Sequence, residues 1–161
     1  MIRALEFKDV PDLCRIYNHY VSHTTASFEV DEVSENDMAH RVSVVVRHFP
    51  WLVIDLEGQV SGFAYANFWK ARSSYSHTFE STIYLDQTCC GKGMGMALYK
   101  ELLAKLKNEK DVHRVVACIS LPNDASVKFH ESMGYKKVAH FDQVGRKFDR
   151  WVDVGYWQLD V

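Results

Sequence analysis

Apolar and polar residues alternate along Ile2-Arg3-Ala4-Leu5-Glu6-Phe7, the period of a half-buried strand, and the chain is expected to open in that form. Asp9 stands where a helix cap is needed, with Pro11 and Asp12 in the following turn. Leu13, Ile16, Tyr17 and Tyr20 then share one helical face. Ser34 opens a second helix running to about His48. The next signal is a hairpin: Trp51–Leu56, the turn Glu57-Gly58, then Gln59–Phe68. Ser76–Leu85 reads as a strand with Phe79, Ser81, Ile83 and Leu85 on one side and Glu80, Thr82 and Tyr84 on the other. It leads into Cys89-Cys90-Gly91-Lys92-Gly93-Met94-Gly95 and a helix from about Met94 to Asn108. Met94, Leu98, Leu102 and Leu106 recur every four residues there as a buried stripe.

His113–Ile119 is a continuous apolar run, the signature of a buried strand. Asn123–Met133 predicts a short helix stopped by Gly134. Tyr135–His140 and Trp151–Leu159 predict two closing antiparallel strands joined by a charged loop. The resulting order, β-α-α-β-β-β-α-β-α-β-β, describes a mixed α/β sheet and excludes a strictly alternating doubly wound chain. With 161 residues and no repeat or low-complexity segment, one domain over 1–161 is expected.

Composition removes several functions without choosing one. The formal net charge of −2 gives no basic surface for nucleic acid or an acidic membrane, and no apolar run is long enough to cross a bilayer. The N-terminus lacks a signal-peptide core. Cys14, Cys89, Cys90 and Cys118 have no C-x-x-C spacing, which reads as a reduced, cytoplasmic protein with unpaired thiols. His19 and His23 lie at a helical ligand spacing, but no third ligand accompanies them and no metal is expected.

The chemical signal is a strand, a glycine-rich turn and a helix start in succession. Gly91, Gly93 and Gly95 bring backbone close to a ligand, and unpaired N–H groups at a helix start favour a phosphate. Lys92 is followed by Gly93, so the P-loop pattern fails, and the G-x-G-x-G spacing is not the dinucleotide fingerprint. A pyrophosphate such as that of coenzyme A remains.

Gly91-Lys92-Gly93-Met94-Gly95 after Ser81-Thr82-Ile83-Tyr84-Leu85 resembles motif A of the Gcn5-related N-acetyltransferase (GNAT) superfamily. Asn123-Asp124-Ala125-Ser126-Val127-Lys128-Phe129-His130-Glu131-Ser132-Met133-Gly134-Tyr135 resembles its motif B. Within that superfamily the chain is most similar to the phosphinothricin and methionine sulfoximine or sulfone acetyltransferases. Ile16–Val21, Thr24–Glu29, Trp69-Lys70-Ala71-Arg72, Phe79–Tyr84 and Trp151–Gln158 carry this resemblance over nearly the whole length. Cys90 departs from it, standing where the superfamily has Gln or Arg before the glycine loop.

The resemblance implies an α/β GNAT fold with a mixed, mostly antiparallel central sheet flanked by helices. It also implies acetyl-CoA as co-substrate and a homodimer with active sites near the junction. The reaction it implies is acetyl transfer to the α-amino group of a small amino-acid-like acceptor by direct attack. Glu80 takes the position of the proposed base, acting directly or through water, and His130 that of an acid, a base or a substrate contact. Cofactor contacts fall to Ile83, Tyr84 and Leu85, to Gly91, Lys92, Gly93, Met94, Gly95 and Met96, and to Asn123. The Leu85 N–H is the candidate oxyanion donor. Arg72 suits a carboxylate, with Phe28 and Tyr75 lining the acceptor pocket. Other amines (a polyamine, an aminoglycoside, a protein N-terminus) and a non-catalytic acyl-CoA sensor are the alternatives.

Overall fold

In a computed structural model describing residues 1–161, seven strands form one sheet in the order β1-β2-β3-β4-β5-β7-β6. The elements are β1 (Ile2–Ala4), α1 (Val10–His23), α2 (Glu35–Val45), β2 (Trp51–Leu56), β3 (Gln59–Phe68) and β4 (Thr78–Leu85). They continue with α3 (Met94–Glu109), β5 (Arg114–Leu121), α4 (Asp124–Ser132), β6 (Lys136–Lys147) and β7 (Arg150–Asp160). Every neighbouring pair is antiparallel except β4 and β5. The expected mixed, mostly antiparallel α/β architecture is thus the observed one.

Alternation along β4 assigns the layers. Tyr84 meets the rings of Tyr17 and Tyr20 on α1, at 5.1 and 4.9 Å between centroids. Ser81 is hydrogen-bonded to Tyr99 of α3, and Gly95 of α3 faces Leu85 and Ile83. Odd and even positions of one strand thus face different helices, α1 on one side and α3 on the other. Leu98, Leu102 and Leu106 of α3 are fully buried, as their spacing predicts, and Met94 at the helix start is half-buried.

Four local expectations are corrected. Asp9 precedes α1 but does not cap it: its carboxylate takes both Arg3 guanidinium nitrogens, at 2.7 and 2.9 Å, and the Glu6 N–H at 2.8 Å. A buried carboxylate beside a fixed cation is better satisfied there than at a helix end. β4 begins at Thr78, because Ser73–Tyr75 forms a short 3-10 turn. A second such turn, Gln87–Cys89, separates β4 from the glycine segment and buries Cys89. The charged loop after His140 is mostly strand: β6 and β7 pair almost to the tip, around Phe148 and Asp149 at φ 51° and 56°. Register shifts between Lys137 and Ala139 and between Phe141 and Gly145 break the alternation that would have revealed it.

Candidate active site

β4 and β5 are hydrogen-bonded neighbours only at Thr78↔Arg114, Phe79↔Val115 and Glu80↔Val116. Beyond that point β4 stays paired with β3 as far as Leu85, and β5 stays paired with β7 as far as Leu121. The two strands therefore part like a fork, leaving one edge of Ser81–Leu85 unclaimed by the ladder. Polar side chains close the fork's base: the Ser81 hydroxyl donates to the Val116 carbonyl at 3.2 Å and lies 2.6 Å from the Tyr99 hydroxyl. Tyr99 and Tyr135 are 2.9 Å apart, completing a buried chain of hydroxyls.

A cleft of about 740 Å³ occupies the fork. Of the expected residues it is lined by Phe28, Glu80, Ile83, Tyr84, Leu85, Gly91, Asn123 and His130. Gly93 caps α3 at φ 77° and Gly91 has φ 75°; both conformations disfavour a side chain. A Cβ on either would meet nothing within 4 Å, so the visible requirement is the backbone angle rather than crowding. Gly95 differs, because a Cβ there would lie 2.9 Å from Leu85 Cδ1. The amides of Met94, Gly95 and Met96 open α3 and have no intrahelical acceptor. Unpaired N–H groups, the positive end of the helix dipole and an exposed Lys92 at the loop suit a pyrophosphate. Asn123 accepts from Ser126 N–H at 3.1 Å, so its cap role is real and its Nδ2 is left for a ligand.

Glu80 makes no hydrogen bond or ion pair within the chain, and burial raises its carboxyl above the usual range, with Lys70 pulling the other way. His130 is 5% exposed. Its Nδ1 lies 2.8 Å from the Ser126 carbonyl, which assigns the hydrogen to Nδ1 and leaves a lone pair on Nε2. Burial lowers its pKa, opposed by that bond, so the ring is neutral at neutral pH. In that tautomer His130 accepts a proton through Nε2 and has none there to give.

Arg72 and Tyr75 are brought together with each other but not with these groups. They lie on the exposed segment between β3 and β4, outside the cleft lining, with Tyr75 edge-on to Trp69 at 5.3 Å. His19 and His23 stack on each other at 4.8 Å, and His23 Nδ1 bonds the His19 carbonyl.

Sequence reasoning missed Tyr17, Tyr20, Ser120 and Cys118, which also line the cleft. The two tyrosines were assigned to an apolar helix face, and period alone does not separate a core tyrosine from one whose hydroxyl reaches a site. Segment Thr25–Glu29, of which only Phe28 was expected, forms one wall. Its carbonyls are tied by side chains: Ser120 donates to Thr25, Tyr84 to Ala26 at 3.4 Å and Lys147 to Ser27 at 2.7 Å. The Phe28 ring packs directly on Gly145 of β6.

Residues 2–155 match the model of the acetyltransferase (GNAT) domain. The chain is 38% identical over 159 residues to the phosphinothricin N-acetyltransferase of Streptomyces viridochromogenes, covering 99% of this chain and 86% of that one. It is 32% identical over 161 residues to the L-methionine sulfoximine/L-methionine sulfone acetyltransferase of Salmonella typhimurium, covering 99% and 94%. Among solved structures it resembles a phosphinothricin acetyltransferase from Sinorhizobium meliloti in complex with acetyl-CoA. There the TM-score is 0.96 at 29% identity, over 100% of this chain and 88% of that one.

Proposed function

The chain belongs to the GNAT family and is an acetyl-CoA-dependent N-acetyltransferase, and from that premise we propose that it acetylates the α-amino group of a small amino-acid-like acceptor. The relatives named above act on phosphinothricin and on methionine sulfoximine or sulfone, and acceptors of that kind are the ones to try first. The observation that carries the reading is Glu80, a carboxylate without a partner, at the fork and with a raised pKa.

Acetyl-CoA supplies the activated acetyl group; the chain does the rest. In this reading the α3 N-terminus and the loop Cys90–Gly93 hold the pyrophosphate, and the unclaimed edge of Ile83–Leu85 holds the pantetheine arm. The amine reaches the fork as an ammonium, and Glu80, directly or through one water, takes its proton. The Leu85 N–H donates to the thioester oxygen as negative charge develops on it. After attack the nitrogen must lose a second proton; His130, which lines the cleft, accepts it on Nε2 and passes it to the departing sulfur. Phe28 and the Thr25–Glu29 wall bound the acceptor. Arg72 reaches its carboxylate only if the Trp69–His77 segment folds toward the cleft.

Val138, Phe141, Val144, Phe148 and Trp151 are exposed apolar side chains on or between β6 and β7, Trp151 at 61%. They favour pairing of two copies along that edge, adjoining the acceptor wall through Gly145 and Phe28. No helix is long and apolar enough to cross a membrane. Four free cysteines, two of them exposed, support a reducing, cytoplasmic location.

The test is release of free thiol from acetyl-CoA against phosphinothricin, methionine sulfoximine, methionine sulfone, the common amino acids, spermidine and an aminoglycoside. Saturable release with the first three is expected. Release confined to spermidine or the aminoglycoside would replace the acceptor, and silence with acetyl-CoA still bound would remove the catalytic reading.

A further inference from the structure

The end of β4 is fixed from outside the sheet. Leu85 is its last paired residue, opposite Gly62, and the next peptide turns toward the glycine loop. The carbonyl of that peptide accepts the Tyr20 hydroxyl at 2.7 Å, and its N–H, that of Asp86, donates to the Ser61 carbonyl at 2.9 Å. The Asp86 side chain takes the Thr88 N–H at 2.9 Å and the Thr88 hydroxyl at 2.7 Å, and it is paired with Arg15. Arg15 also donates to the Val60 carbonyl at 3.0 Å and pairs with Asp12, whose other oxygen accepts the Val60 N–H at 3.0 Å. Asp12, Arg15 and Tyr20 of α1 thus grip both β3 and the first peptide beyond β4.

A strand end that loses its neighbour on one side is ordinarily where backbone angles loosen. Here that end carries the Leu85 N–H, on the edge that β5 has left since Glu80, and an oxyanion donor is useful only if its direction is set before charge develops. Gly62 lets β3 come close enough to help, since a Cβ there would sit 2.6 Å from Leu85 Cδ2 and 3.3 Å from the Tyr84 carbonyl oxygen. The Tyr20 ring needs no hydroxyl for packing, because it is already held against Tyr84 at 4.9 Å and His19 at 5.7 Å. Tyr20 also lines the same cleft as Leu85, Cys90 and Gly91.

We propose that Tyr20 is a positioning residue for acetyl transfer: by holding the Leu85 carbonyl it fixes the backbone of Leu85 and so the direction in which the Leu85 N–H points. This rests on the reading of that N–H as donor to the thioester oxygen. Tyr20 touches neither reacting atom: it grips the peptide after Leu85, and it acts on the N–H of the peptide before Leu85 through the shared Cα.

Tyr20→Phe removes the hydroxyl and keeps the ring. The decisive readout is the carbonyl stretch of carbonyl-13C-labelled acetyl-CoA, free and bound, because it reports polarisation without needing an acceptor. Binding to the unaltered protein is expected to lower the frequency. Tyr20→Phe should lose at least about half of that lowering and cut kcat about tenfold, while acetyl-CoA Kd stays within about twofold. An unchanged frequency, or a loss of kcat that only follows weaker acetyl-CoA binding, would overturn the proposal. A complex of the unaltered protein with no lowering at all would remove the Leu85 donor, and the proposal with it.

Discussion

The two halves proposed for the cleft, one for the cofactor and one for the acceptor, are built from different materials. The cofactor half is mostly main chain: the unpaired edge of β4, two glycines at φ 75° and 77°, and the first amides of α3. Cys90 can therefore stand where relatives of this superfamily carry Gln or Arg, since most of the donors there are peptide N–H groups. The acceptor half is mostly side chains: Glu80 from β4, Tyr17 from α1, Phe28 from a loop and Cys118 from β5, with the loop's carbonyls tied to β4, β5 and β6. The first half should tolerate changes of side chain and fail when backbone angles change. The second should behave the opposite way.

Glu80→Gln should produce the largest effect, a loss of turnover of about 100-fold or more with acetyl-CoA affinity nearly intact, measured by thiol release and calorimetry. Equal loss of affinity would make Glu80 part of the cofactor half and break the division. Its pH signature has a fixed sign. Burial raises the Glu80 pKa in the fold, so the base is lost as pH falls through that elevated value, and the acid limb of kcat/KM lies above the ordinary glutamate range. Between the unfolded and folded values the native state holds the proton more tightly, so this group's contribution to stability declines as pH rises through that window. Glu80→Gln should therefore raise Tm slightly at pH 7 while it removes activity.

Gly93→Val tests the other half. A β-branched residue in the left-handed region costs roughly 1–3 kcal/mol, so acetyl-CoA should bind about tenfold weaker or worse. Unchanged affinity would mean that the loop is not read through its backbone. Arg72→Ala should be milder. Losing a hydrogen bond to a charged group is worth about 1.5–3 kcal/mol, which predicts an acceptor KM at least about tenfold higher with the acetyl-CoA KM unchanged. An unchanged acceptor KM would leave Arg72 a solvated loop cation and assign the acceptor's carboxylate to another group.

The same division explains what the chain's residues disclosed. Glycine spacing, the Asn123 cap and the α3 stripe are local signals, and the structure keeps each where the pattern put it. The fork was legible only through resemblance, since any residue supplies an N–H and nothing in Ile83-Tyr84-Leu85 says that its neighbour strand leaves. The acceptor wall depends on Ser120 and Lys147 reaching Thr25 and Ser27, 95 and 120 residues away along the chain. No period encodes such a contact. Lys147 was read as part of a charged loop, yet the fold buries it to 4% exposure with its ammonium on the Ser27 carbonyl.

The smallest predicted effect probes the base of the fork. Tyr135, Tyr99 and Ser81 can pass hydrogen bonds in one direction, ending with the Ser81 hydroxyl on the Val116 carbonyl, so every buried oxygen in the chain is served. Ser81→Ala removes a donor to the Val116 carbonyl and leaves one hydroxyl proton of the Tyr99–Tyr135 pair without an acceptor, costing about 1–3 kcal/mol. A domain of this size should then lose roughly 2–10 °C of Tm. The acetyl-CoA KM should move by less than about threefold, because the backbone proposed to hold the cofactor is still paired with β3 along its other edge. Adding Tyr99→Phe together with Tyr135→Phe removes both leftover hydroxyls and should return part of the lost Tm. If that triple variant is instead less stable than Ser81→Ala alone, the hydroxyls are not a chain but separate ties, and the fork is held open by packing alone.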